Sequence, residues 1–162
     1  MAEQDKMELA RKTYETLCGV LQRSEGMFSQ NKERLQADYL VSGEDASMRF
    51  AFTVDAERCS VRMISSLPMM VAEEYRRNMA VAIGIINYRL VHGCFDMNMA
   101  NGEVRFRQCN SFYETELSAE VFSFMLEAAR FVVDKYNETL ILLSTGAISL
   151  DRFVEMIQES AG

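Results

Sequence analysis

Between His92 and Val133 the chain sets an Asn101-Gly102 pair between two period-two runs, Gly93 to Met99 and Val104 to Gln108, and follows them with a helical pattern. Asn-Gly in that setting is the strongest short-range hairpin signal, because both central residues of a type I′ turn need positive φ. A hairpin held between two amphipathic helices commits the chain to an α+β architecture. The stretch carries no reactive motif, so it speaks to fold more than to chemistry.

The remaining elements follow from apolar periodicity. Met7, Ala10, Tyr14, Leu17 and Leu21 recur at three- and four-residue steps and predict an amphipathic N-terminal helix ended near Gly26. Three period-two runs, Leu35 to Val41, Met48 to Val54 and Cys59 to Ile64, predict an antiparallel meander. Val54 is expected to pair with Cys59 across a short loop over Asp55 to Arg58. Pro68 is expected to stop the sheet, and Met70 to Leu90 to form the central, most buried helix, where Gly84 implies close approach to another element. Ser118 is the expected N-cap of a helix packing through Val121, Met125, Ala128, Val132 and Tyr136. Ser144-Thr145-Gly146 breaks it, and Ser149 caps a last short helix. The predicted order is α-β-β-β-α-β-β-α-α in a single domain over residues 1–162.

Composition removes several function classes. The formal charge of −7 and the lack of a basic run argue against a nucleic-acid partner. The longest apolar run, Met79 to Val91, is interrupted by Asn87, Tyr88 and Arg89, so no membrane span is expected. The acidic start lacks a secretory pattern, so a cytoplasmic protein is expected. Cys18, Cys59, Cys94 and Cys109 form no CxxC motif, and the single His92 cannot complete a Cys/His metal site. The glycines make no phosphate loop, and no DxDxDG calcium loop occurs. No cofactor, no metal and no enzymatic activity are expected.

A two-residue turn at Asn101-Gly102 sets Asp96 opposite Arg107, Asn98 opposite Arg105, and Cys94 opposite Cys109, whose Cα atoms would then lie about 5.5 Å apart. That spacing permits a disulfide, with two free thiols as the alternative. The same alternation sends Arg49, Arg62, Arg105 and Arg107 to the sheet face away from the core. These four are the candidate partner-binding face; cross-strand pairing with Asp38 and Asp96 would instead make it an ordinary solvated surface. Twelve methionines, among them Met69, Met70, Met97 and Met99, suit either an adaptable binding surface or core filling.

Gly93-x-Phe95 entering a strand, Gly102-x-Val104-x-Phe106-Arg107 leaving the turn, and Leu117-Ser118-x-Glu120 opening a helix that runs through Phe131 to Asp134 resemble the YbjN-like family of proposed bacterial sensory transduction regulators, which shares the fold of type III secretion chaperones. The resemblance implies a five-stranded antiparallel sheet flanked by helices. It also implies small acidic homodimers that hold a segment of a partner protein, with no catalytic motif to carry over. Two functions stay open: a non-enzymatic interaction module, chaperone-like or regulatory, that binds a polypeptide segment; or a small-molecule or signal-sensing domain with an apolar pocket lined by Tyr75, Tyr88, Phe95 and Phe122.

Overall fold

The computed structural model describes residues 3–42 and 47–159; residues 1 and 2 of the expected first helix lie outside them. Helix α1 spans Glu3–Arg23 and is followed by four strands, β1 Met27–Asn31, β2 Gln36–Ser42, β3 Ser47–Asp55 and β4 Ser60–Met70. A 3-10 turn, Glu73–Tyr75, leads into α2 Arg76–Arg89. Then come β5 Cys94–Met97, β6 Glu103–Ser111, α3 Ala119–Ser144 and α4 Leu150–Glu159. The sheet has six strands in the order β1-β2-β3-β4-β6-β5, all neighbours antiparallel. The α+β class therefore stands, and the five-stranded expectation is corrected by β1.

Strand β1 escapes the sequence pattern because it buries almost nothing: of its five residues only Phe28 is even half-buried. Alternation reveals a strand only when one face enters the core. In β2, β3, β4 and β6 it does, sending Tyr39, Phe50, Phe52, Met63 and Phe106 inward until they are essentially inaccessible.

Three hairpins share one construction. The loops after β1 and β3 are four residues long and the loop after β5 is five, and their last residues, Leu35, Cys59 and Gly102, take positive φ of 50°, 46° and 82°. That twist turns the carbonyl of each sideways onto another segment: Leu35 O accepts from Val54 N at 3.0 Å, Cys59 O from Phe112 N at 2.9 Å, and Gly102 O from Val71 N at 2.9 Å. An Asx side chain opens each loop, with Asn31 Oδ1 accepting from Arg34 N, Asp55 Oδ1 from Arg58 N, and Asn98 Oδ1 from Ala100 N. Left-handed backbone costs a non-glycine residue about 1–2 kcal/mol. Burying the Leu35 side chain, which is 8% exposed, returns about 1.5–3 kcal/mol, so leucine is tolerated there.

Both expected registers are overturned: the four-residue β3–β4 loop sits one position later than expected, and the β5–β6 loop has five residues rather than two. Val54 pairs with Val61 rather than Cys59, and Asp96 with Arg105 rather than Arg107. Each slip is two residues, and because the side-chain period of a strand is also two, every residue keeps its predicted face while changing its partner.

Two further expectations are corrected. Pro68 does not stop the sheet: β4 runs through it to Met70, with an irregular register between Ser66 and Met70 that absorbs the missing proline N–H. The central helix is α3, which buries eleven residues including Phe122, Met125 and Tyr136, whereas α2 buries only Met79, Ala82, Ile83 and Ile86. Gly84 faces outward with nothing of this chain within 4 Å of where a Cβ would stand. Ser118 stands at the expected N-cap position of α3 without a side-chain hydrogen bond to the helix backbone, and the Ser149 start of α4 is as expected, with Ser149 Oγ accepting from Arg152 N at 3.2 Å.

Candidate functional site

All strongly buried strand residues lie on one face of the sheet, under α1, α2 and α3. The other face carries Arg49, Arg62, Arg105 and Arg107, as alternation requires. Three of the four are paired. Arg49 donates to Asp38 Oδ1 through Nη2 at 2.8 Å and Nε at 3.1 Å, and Asp96 accepts from the Nε atoms of both Arg105 and Arg107. Asp96 holds the Arg105 guanidinium further above its already high range. Arg62 meets no carboxylate at ion-pair distance among the described residues. The pairs are solvated, with arginine side chains 43–68% exposed, and such pairs contribute about 0–1 kcal/mol each. Within this face Arg62 is the cation least committed to a neighbour.

The two thiols on this face do not oppose one another. Cys94 lies across from Arg107, and Cys109 across from Arg62 of β4. Diagonal neighbours across a ladder sit about 7–8 Å apart, beyond ordinary disulfide reach, and all four cysteines are free. The residues expected to line one apolar pocket are also dispersed: Phe95 and Phe122 are core residues, while Tyr88 is 93% exposed. Tyr75 sits beside Gly146, packed where a Cβ would stand.

The two edges of the sheet differ in a way no single residue of the sequence announces. At the β5 edge, Asn87 of α2 donates from Nδ2 to Phe95 O at 2.9 Å and accepts at Oδ1 from Phe95 N at 2.8 Å. A primary amide presents one donor and one acceptor side by side, as a neighbouring strand does, so Asn87 closes that edge. Strand β1, at the opposite edge, has no such plug among the described residues. Its residues Met27, Phe28, Ser29, Gln30 and Asn31 carry no charge and no proline, the usual means of blunting an edge.

A cleft lies at each end of β1. One, of about 670 Å³, opens between α1 and the β1–β2 loop over Met7, Tyr14, Cys18, Leu35 and Val54, and is rimmed by Arg11, Lys32 and Arg34. Tyr14 donates its hydroxyl proton to Gln36 O at 2.9 Å, and burial pushes its ionisation well above the ordinary phenol range. Burial likewise raises the Cys18 thiol, so the floor of this cleft is neutral and unreactive. The second, of about 390 Å³, takes in Gly26, Met27, Leu40, Val41 and Arg130. Among the described residues no three His, Cys, Asp or Glu side chains gather as a metal set, and no helix is long and apolar enough to cross a membrane.

The model of the YbjN family, "Putative bacterial sensory transduction regulator", matches residues 13–142. The chain belongs to the YbjN family. The matched span runs from α1 to the last turn of α3 and takes in all six strands. Among solved structures, a chain in the crystal structure of the ExsC-ExsE complex is similar at 16% identity and TM-score 0.58, covering 80% of this chain and 93% of that one. The crystal structure of YbjN from E. coli is similar at 13% identity and TM-score 0.54, covering 77% of this chain and 91% of that one. At such identities these likenesses establish the fold. No curated protein sequence matches this YbjN-family chain.

Proposed function

We propose that this YbjN-family protein is a non-enzymatic interaction module of the bacterial cytoplasm that binds an extended segment of a partner polypeptide along β1, as a seventh strand. The observation that carries the reading is the asymmetry of the edges: β5 is closed by Asn87, while the outer edge of β1 has no neighbouring strand among the described residues and is flanked by two clefts. Edge addition draws affinity from main-chain hydrogen bonds, and pockets beside the strand select side chains. A protein of the same fold is found in a complex, ExsC-ExsE, which supports a protein as partner. The arginine face is the second candidate surface, contacting the partner chiefly through Arg62.

The protein's own dimer contact is proposed on the outer face of α2. There Val81 is 51% and Tyr88 93% exposed and Gly84 leaves room for a second backbone, whereas the apolar stripe of α1 is spent in the core.

A photo-reactive residue placed at Gln30 tests the reading, with matched placements at Arg62 and Asp96, each followed by capture from extracts of the native cells and mass spectrometry. A polypeptide cross-linked specifically from position 30 is the expected result. Cross-linking only from position 62 would move the site to the arginine face, and none from either position contradicts the proposal.

A further inference from the structure

At the end of the sheet away from β1, a cleft of about 410 Å³ opens between the α2–β5 connection, β6 and the first turns of α3. His92, Gln108, Asn110, Glu120, Val121 and Phe124 line it. Gln108 is 6% exposed, and its Nε2 is buried with no hydrogen-bond acceptor among the described residues. Buried polar groups are nearly always paired, because leaving one unpaired forfeits its hydration without return. The orphan is held in place: Gly93, with φ 76°, packs so tightly that a Cβ there would stand 2.7 Å from Gln108 Cγ and would strike the Phe106 ring. Gln108 thus lines the cleft, with its unpaired Nε2 lying just beneath the surface.

The mouth is aromatic. Phe124 is 50% exposed, and the His92 ring meets it edge-on, centroids 4.9 Å apart at 86°. Two rings at a right angle form a corner that receives a flat molecule, stacked on one ring and abutting the other. The charge lining the cleft is the Glu120 carboxylate, and neither lysine nor arginine lines it. An anionic guest would meet like charge in a chain of net −7.

We propose that this cleft binds a small, neutral, planar aromatic carbonyl compound, its ring lying against Phe124 and His92 and its carbonyl oxygen accepting from Gln108 Nε2 as the terminal amide turns toward the cleft. The site is independent of the peptide edge, since β1 and β5 bound opposite sides of the sheet.

Titration of the isotope-labelled full chain with benzamide, followed by NMR, tests it, with benzoate and cyclohexanecarboxamide as comparison probes. Saturable millimolar shifts are expected at the Gln108 side-chain amide, at residues 92 and 93 and at residues 121 to 125, with benzoate and the saturated ring weaker by about tenfold. Gln108→Leu removes the donor in an apolar site and should abolish the shifts. Phe124→Ala, at a half-exposed position that does not endanger folding, should weaken binding by about tenfold. Unsaturable shifts with benzamide, benzoate binding as tightly as benzamide, or full binding by the Phe124→Ala protein would each overturn the proposal.

Discussion

Asn87 on α2 and Phe95 on β5 are joined by two hydrogen bonds, Nδ2 to the carbonyl at 2.9 Å and the backbone N–H to Oδ1 at 2.8 Å, so that a helix side chain occupies the place of the next strand. Replacing it by leucine leaves the Phe95 amide and carbonyl unpaired. At about 1 kcal/mol for each part-buried hydrogen bond, Asn87→Leu should lower stability by about 2 kcal/mol. It should also create a second open edge, so light scattering should show concentration-dependent association absent from the parent protein.

The left-handed positions predict an inversion of the usual order of substitutions. Cys59 is 2% exposed with φ 46°, so either truncation loses the buried thiol. Glycine alone recovers the conformational cost, and Cys59→Gly should be more stable than Cys59→Ala by about 1 kcal/mol, whereas in an ordinary strand alanine wins. Gly102→Ala should lose more than about 2 kcal/mol, since φ is 82° and the added Cβ would strike the Val71 backbone. Urea unfolding of the three variants settles both comparisons.

Asp55 gives the pH dependence its sign. The Arg58 backbone N–H bonded to Oδ1, and then the Arg58 guanidinium, hold its carboxyl below the usual carboxylate range despite burial, which acts the other way. A carboxyl lowered on folding stabilises above its unfolded pKa of about 3.9 and loses that contribution as pH falls through the folded value. Asparagine keeps the loop-opening acceptor and removes only the charge. Asp55→Asn should therefore be less stable than the parent at pH 7, with the gap closing below about pH 4. Unfolding curves at pH 7 and pH 3 with an undiminished gap would contradict the assignment.

Thr13 is fully buried in α1, and its Oγ1 has no hydrogen-bond partner among the described residues. Valine has nearly the same shape without the hydroxyl. Thr13→Val should raise stability by about 1 kcal/mol, read as a higher melting temperature. Tyr88→Glu on the proposed dimer face of α2 should give a monomer in light scattering and a melting temperature independent of protein concentration.

What the sequence made legible depended on burial. Met48, Phe50, Phe52 and Val54 enter the core, so β3 shows its period in the sequence, and the same alternation puts the four arginines on the opposite face. β1 stayed hidden because Met27, Ser29, Gln30 and Asn31 are all exposed. Its trace was there in the loop that follows: Asn31-Lys32-Glu33-Arg34-Leu35 repeats the type and spacing of Asp55-Ala56-Glu57-Arg58-Cys59, with Asx first and Glu-Arg before the left-handed residue. The β5–β6 register is not legible because Asn101-Gly102 reads as a two-residue turn, whereas its glycine closes a five-residue loop. Neither the Asn87 plug nor the unpaired Gln108 amide is visible in one dimension, since each depends on a helix laid across a strand.

Hydrogen exchange of the complex with its captured partner bears most directly on β1 as the open edge. Slowed exchange of the amides of residues 27–31 on binding, with those of residues 94–97 unchanged, is the predicted result. Protection confined to residues 94–97, or none on β1, would contradict strand addition at that edge.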